Sequence, residues 1–276
     1  MKAELTANVP RSAKAPMIAQ GEPAKTSEDA VLGGRLVLRQ PLRGHRVGHD
    51  AILLAAATCA HPGERAVDLG AGVGAAGLAL AHRVEGLAVT LVEIDPMLAA
   101  LAQANAERNG LAARVRAVCL DVAAPAAEFA AAGLAAGSAN RVLMNPPFNP
   151  AVNPSPEPGR RLAHAGSPAM LARWVRTACR LLRPGGTLTL IWRADGLADV
   201  LAALGRGFGA LALLPVHPKP GAPAIRVLAR AEKASRAPST LLPGLELADA
   251  DGKPSARVQA VLRQGAALSL DPPSRQ

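Results

Sequence analysis

The sequence predicts a doubly wound α/β fold: a mostly parallel seven-stranded sheet with helices on both faces and an antiparallel last strand. Three observations predict it. From about residue 65 onward, short apolar runs alternate with glycine-marked turns and helix-length segments. The links between those runs are long enough for a helix and little more, which favours crossovers between parallel neighbours. The last two apolar runs, residues 210–216 and 225–229, are joined only by a short Pro-, Lys- and Gly-rich stretch, too brief for a crossover helix, so they should pair antiparallel.

Residues 1–30 mix Ala, Pro, Lys, Glu and Ser without periodicity and are expected to be a disordered tail. Residues 35–40 alternate apolar and polar positions as a half-buried strand does, and Pro41 ends the run. A helix is expected over 49–59, stopped by His61-Pro62-Gly63. Then come strand 66–69, helix 75–83, strand 88–92, helix 96–109 closed by Gly110, strand 115–120, an alanine-rich connection, and strand 141–144. Ser167 should cap a helix through 182, and Arg183-Pro184-Gly185-Gly186 turns the chain into strand 187–192. The folded domain is expected to span 31–265, followed by a tail over 266–276.

Composition narrows the class. A chain of 276 residues can bury its own core without staples. Uncharged apolar runs such as 51–60 fall short of the roughly 20 residues a bilayer span needs, and the N-terminus lacks the apolar core of a secretory signal. Cys59, Cys119 and Cys179 have neither disulfide nor zinc-ligand spacing and read as buried thiols in a reducing compartment. A cytoplasmic monomer without metal is therefore expected. Lys and Arg number 31 against 21 Asp and Glu, a formal charge of +10 that suits a polyanionic partner.

Two motifs carry chemistry. Asp68-Leu69-Gly70-Ala71-Gly72-Val73-Gly74 lies directly between a strand and a helix, where glycines let the backbone approach a ligand. Gly72, Gly74 and Gly77 also spell a dinucleotide fingerprint, with Glu93 19 residues beyond Gly74. Asp68 tips the balance. An acid two residues ahead of the first glycine would repel a pyrophosphate, whereas it suits the cationic amino-acid end of S-adenosylmethionine. Its rival role is that of a helix-capping or turn aspartate. Glu93 can accept two hydrogen bonds from a ribose diol; nearby Asp95, beside Pro96, reads better as a helix cap. Asp121 is placed to accept from an adenine amine, with the Val122 amide donating to the ring, although strand-end acids also form turns.

The second motif is Asn145-Pro146-Pro147-Phe148 at the end of the fourth strand. Consecutive prolines lock the backbone, and the Asn145 side-chain oxygen with the Pro146 carbonyl gives two acceptors for the two hydrogens of a planar NH2. A flat base can stack on Phe148. The competing reading is a Pro-Pro turn with a core phenylalanine.

Together D-L-G-A-G-V-G, V-E-I-D, Asp121 and N-P-P-F resemble the class I S-adenosylmethionine-dependent methyltransferases that modify planar amines. The segment Q-P-L-R-G-H-R-V-G-H-D-A-I-L-L-A-A-A and the later H-P-K-P-G-A-P-A-I-R-V-L-A-R-A look like the bacterial tRNA1(Val) adenine methyltransferase group. That resemblance implies a Rossmann-like methyltransferase sheet and methylation of an adenine exocyclic amine in RNA, with tRNA the expected carrier. By residue, it implies that Asp68, Gly70, Gly72 and Gly74 hold the methionine part of the cofactor. Glu93 would take its ribose and Asp121 with Val122 its adenine, while Asn145, Pro146, Pro147 and Phe148 hold the target amine. Phe148 stands where many relatives carry tyrosine, and the Pro-rich stretch 153–161 could give a different lid. Other planar amines remain open as targets: a protein glutamine, a DNA adenine or a small molecule. For a glutamine methyltransferase, the roughly 60 residues before Arg65 look too few to supply the usual N-terminal helical domain. A nicotinamide oxidoreductase and a non-catalytic RNA-binding module are the remaining alternatives.

Basic residues cluster: six arginines against one acid over 157–183, and six Lys or Arg against one over 205–236. Arg160, Arg161, His164, Lys219 and Arg226 are the expected RNA phosphate contacts, with Arg46 and His45 in support. Arg173, Arg176 and Arg180, at helical spacing, read as a solvated face.

Overall fold

The computed structural model describes residues 25–42, 46–148 and 167–271. A hairpin leads, β1 Thr26–Val31 antiparallel to β2 Leu36–Pro41, followed by α1 His49–Ala57. The main sheet then alternates with helices: β3 Arg65–Leu69, α2 Ala75–Arg83, β4 Ala88–Glu93, α3 Pro96–Arg108, β5 Val115–Cys119, α4 Ala126–Ala131 and β6 Ala139–Met144. After residue 166 come α5 Pro168–Leu181, β7 Leu182–Arg193, α6 Leu197–Leu204, β8 Phe208–His217, β9 Arg226–Lys233, β10 Thr240–Leu241, β11 Leu245–Glu246 and α7 Ala256–Gln264.

The strand order is β10-β8-β9-β7-β6-β3-β4-β5, with β11 also on β8. Strands β5, β4, β3, β6 and β7 are mutually parallel, and β9 runs antiparallel between β7 and β8. The order reverses between β3 and β6, which is where an open α/β sheet presents a crevice at its carboxyl ends. Two apolar layers sandwich the sheet. Residues of α1, α2, α3 and α7 pack on one face, with Leu36 and Leu38 of the hairpin. Phe129 of α4 and apolar residues of α5 and α6 pack on the other, around Val67, Leu69, Val142, Met144 and Trp192.

Local signals explain the boundaries. Asp95 caps α3, its side chain accepting from the Met97 and Leu98 amides, with Pro96 in the first turn. Ser167 caps α5 by accepting from the Met170 amide, with Pro168 next. The sheet meets the expected seven strands, antiparallel β9 included, and gains two short parallel strands, β10 and β11, that only two residues each announce.

Three expectations need correction. The N-terminal tail ends sooner: residues 26–31 form β1. Polar alternation suits such an edge strand once partners appear, because the buried Gln40 side chain donates to Asp29 while its oxygen accepts the Val47 amide. At the other end Leu268 and Leu270 are buried and the Leu268 amide bonds to the Ala56 carbonyl, so the fold continues to about residue 271. Finally, Cys59 after α1 and Cys119 at the end of β5 are exposed, and Cys179 on α5 is only partly buried, against the edge of one core layer. Among the described residues no helix is long and apolar enough to cross a membrane.

The hairpin is fixed to the sheet by two asparagines one turn apart, Asn105 in α3 and Asn109 at its C-terminal cap. Asn105 Oδ1 accepts the Arg39 amide at 2.8 Å, and its Nδ2 donates to the carbonyls of Arg39 and Val73, both at 3.0 Å. Asn109 does the same for Val37. Each carboxamide imitates a strand neighbour, and Asn105 also ties the hairpin to the glycine turn.

Candidate active site

The carboxyl ends of β3, β4, β5 and β6 place the two motifs side by side. Leu69 and Met144 are register partners in adjacent strands, so the glycine turn and Asn145 leave the sheet together. The clefts at the opposite end, about 210 and 360 Å³, are lined instead by residues at the amino ends of the parallel strands and their neighbours, such as Arg141, Thr187, Arg65 and Arg116.

The turn needs its glycines for two different reasons. Gly70, Gly72 and Gly74 have φ of 71°, 56° and 89°, which L side chains disfavour. At Gly70 a Cβ would also lie 2.3 Å from Trp174 Cη2. At Gly72 nothing among the described residues lies within 4 Å of that position, so among them the backbone there faces open space. Gly77, inside α2, lets the helix pack on β4; a Cβ would meet Leu91 Cδ2 at 2.3 Å.

Asp68 lies deeper than its motif suggests. It is 2% exposed, lies beneath the turn, and its Oδ2 accepts the Gly77 amide at 2.8 Å. Through Oδ2 it braces the start of α2, the rival role a capping aspartate would have. Burial pushes its carboxyl up to about 7, the Glu93 charge adds to this, and the Gly77 hydrogen bond opposes it. Glu93 is nearly buried, and its two oxygens accept the Gly72 amide at 2.8 Å and the Asp95 amide at 2.9 Å. Each oxygen keeps a second lone pair for a diol. Asp121 Oδ1 accepts the Ala123 amide at 2.8 Å, so it also shapes its turn, and the buried Val122 accepts the Thr177 hydroxyl through its carbonyl.

In the second motif Pro146 is buried, Pro147 exposed and Phe148 partly buried. Asn145 Oδ1 is buried with no hydrogen-bond partner among the described residues. An orphaned acceptor costs about 1–3 kcal/mol, so a donor arriving from outside is the chemically consistent partner. Phe148 packs edge-on to Trp192, centroids 5.7 Å apart at 77°.

The expected phosphate contacts divide. Arg160, Arg161, His164 and His45 lie outside the described residues, as does 153–161. Lys219 is exposed between β8 and β9. Arg46 and Arg226 each already hold a carboxylate: Arg46 pairs with Asp29 at 2.8 Å, and Arg226 with Asp50 at 2.8 Å while its guanidinium covers the Phe148 ring. Both carboxylates are invisible in a count of local charge along the chain. Arg173 and Arg176 are exposed as expected, but Arg180 bonds the Ala124 carbonyl and stacks over Phe129.

Sequence reasoning missed Asp50, Asn105, Trp174 and Trp192. The scarcity of aromatics, three Phe and two Trp without Tyr, is the signal that could have flagged the tryptophans. Asp50 and Asn105 carried none, since their partners are distant in the chain.

The residues fit an S-adenosylmethionine-type ligand. Space opens above Gly72, Glu93 edges it, and the unpaired Asn145 oxygen lies on the neighbouring strand end.

Fold and site thus define a methyltransferase domain of the doubly wound class. Residues 46–219 match the methyltransferase small domain model, and the chain belongs to that family. It is 30% identical over 159 residues to a tRNA1(Val) (adenine(37)-N6)-methyltransferase of Porphyromonas gingivalis, covering 56% of this chain and 61% of that relative. It is 28% identical over 191 residues to the protein of that name in Bacteroides fragilis, covering 66% and 75%. A release factor glutamine methyltransferase of Moorella thermoacetica shares 36% over 149 residues, half of each chain. A crystal structure of a predicted O-methyltransferase from Agrobacterium tumefaciens superposes with a TM-score of 0.69 at 33% identity, covering 80% of this chain and 98% of that one.

Proposed function

We propose that this domain transfers a methyl group from S-adenosylmethionine to the exocyclic amine of an adenine in RNA, with tRNA as the carrier. The observation that carries the reading is the buried Oδ1 of Asn145, without a partner among the described residues, at the carboxyl end of β6 beside the glycine turn. With the Pro146 carbonyl it provides two acceptors, and an NH2 provides two hydrogens. An alcohol would fill only one of them. A glutamine amide would fill both, and the excess of 31 basic over 21 acidic residues is what favours RNA over that alternative.

S-adenosylmethionine, when bound, supplies an electrophilic methyl on a cationic sulfur. The chain's own residues bind and orient. Glu93 accepts from the ribose, and Asp121 with the Val122 amide from and to the adenine. Gly70, Gly72 and Gly74 allow close backbone approach to the methionine part. Asn145 and Pro146 hold both amine hydrogens, which turns the nitrogen lone pair toward the methyl. Phe148 stacks on the target ring. Alignment of this kind contributes on the order of 7–11 kcal/mol to a barrier, so no strong general base is required and the proton leaves the amine after transfer. Lys219, Arg160, Arg161 and His164 contact phosphates, and the protein acts in the cytoplasm as a monomer without metal.

Tritium transfer from the labelled cofactor into RNA of a strain lacking the protein tests the reading. N6-methyladenosine is the expected product. Label in protein, or on another nucleoside, overturns it.

A further inference from the structure

The ring of Phe148 is held from two sides. Trp192 of β7 packs nearly perpendicular to it, and Arg226, the first residue of β9, lays its guanidinium 4.6 Å from the ring centroid. The two come from neighbouring strands, since Trp192 is in register with Val227. Arg226 is itself fixed. Its Nε donates to Asp50 Oδ2 at 2.8 Å and its Nη1 to the Ile225 carbonyl at 3.0 Å. Asp50 lies in the first turn of α1, where the helix dipole favours an anion. A planar guanidinium over an aromatic face is attractive and oriented, and the carboxylate cancels the charge a phosphate would otherwise use.

We propose that Arg226 is a positioning residue for methyl transfer: it sets the plane of Phe148, and Asp50 sets Arg226. The inference rests on the reading of the Asn-Pro-Pro-Phe corner as the amine site. The guanidinium lies over one face of the ring. It also gives α1 a task, because the acid at its start is what aligns the arginine 176 residues further along the chain.

The test combines kinetics with a probe independent of substrate. Incorporated 4-fluorophenylalanine reports on only three positions, and Phe148→Leu assigns the relevant resonance. In Arg226→Ala the Phe148 resonance should move and kcat should fall roughly three- to thirty-fold, with cofactor affinity and the far-UV spectrum unchanged. Asp50→Asn should move the same resonance and slow transfer less. Added to Arg226→Ala, it should change nothing further. If Arg226 is instead a phosphate contact, Arg226→Ala raises KM in a salt-dependent way with the resonance still, and Asp50→Asn tightens RNA binding; that result overturns the inference. The RNA reading fails separately. If the wild type methylates only a non-RNA acceptor while Arg226→Ala shifts the resonance and slows that transfer, the inference stands without RNA. If the wild type methylates RNA and Arg226→Ala leaves both rate and resonance unchanged, the inference falls alone.

Discussion

The Glu93 carboxylate accepts the Gly72 amide at 2.8 Å, so the end of β4 and the middle of the glycine turn move as one body. The other oxygen accepts the Asp95 amide, which links the same carboxylate to the start of α3. Glu93→Gln keeps one acceptor but turns an NH2 against one of these amides. We expect cofactor affinity to fall roughly 10- to 100-fold, consistent with the larger worth of charged hydrogen bonds, with a small drop in melting temperature. Calorimetric titration measures it, and an unchanged affinity would remove Glu93 from the ribose role.

Much of this corner was legible because its signals are local. The glycine turn follows β3 within a residue, Asp95-Pro96 and Ser167-Pro168 mark helix starts by themselves, and the Asn-Pro-Pro-Phe run needs no partner to be noticed. What escaped depends on contacts distant in the chain. Strand β1 is polar and forms because Gln40 and Arg46 meet Asp29 across the hairpin, while Asn105 and Asn109 receive β2 some 66 and 72 residues away. The burial of Asp68 escaped because sequence shows the type of a side chain and its place in a motif, and not whether the strand buries it. The partner of Arg226 escaped because Asp50 is 176 residues earlier.

Asp68 makes stability depend on pH. Its folded-state carboxyl is raised from 3.8 to about 7, so between those values the folded chain holds a proton that the unfolded chain has released. The contribution is fully present below about pH 4 and is lost as pH rises through about 7, up to roughly 4 kcal/mol at about 1.4 kcal/mol per unit. Asp68→Asn stays neutral and can still accept the Gly77 amide. The stability of the wild type relative to Asp68→Asn should therefore decline from about pH 4 to pH 7 and level off above, as read by denaturant unfolding across that range. A difference independent of pH contradicts the raised carboxyl.

Gly70 and Trp174 should show coupled energetics. Gly70→Ala adds left-handed strain of about 1–2 kcal/mol to a clash with the indole, whose Cη2 would be 2.3 Å from the new methyl. Trp174→Ala alone leaves a cavity, costing about 3–5 kcal/mol in a full core and less at this partly buried position. The double variant removes the clash and keeps the strain, so it should be more stable than the two single losses predict. Additive losses in a double-mutant cycle would mean that the indole moves aside at no cost.

Asn145→Ala separates stability from chemistry. Among the described residues Oδ1 is buried without a partner, so deleting it removes a group that already carries a desolvation cost. Unfolding should show the variant equal to the wild type or more stable by about 1 kcal/mol. Turnover should move the other way. With one of two acceptors gone the amine nitrogen is no longer turned toward the methyl, and loss of a preorganised polar contact of this kind costs on the order of 100- to 1,000-fold in kcat. Cofactor binding should be unaffected, since Gly72 and Glu93 are untouched. Near-normal methylation of the true substrate by a well-folded Asn145→Ala would remove Asn145 from the chemistry and leave its oxygen without a function.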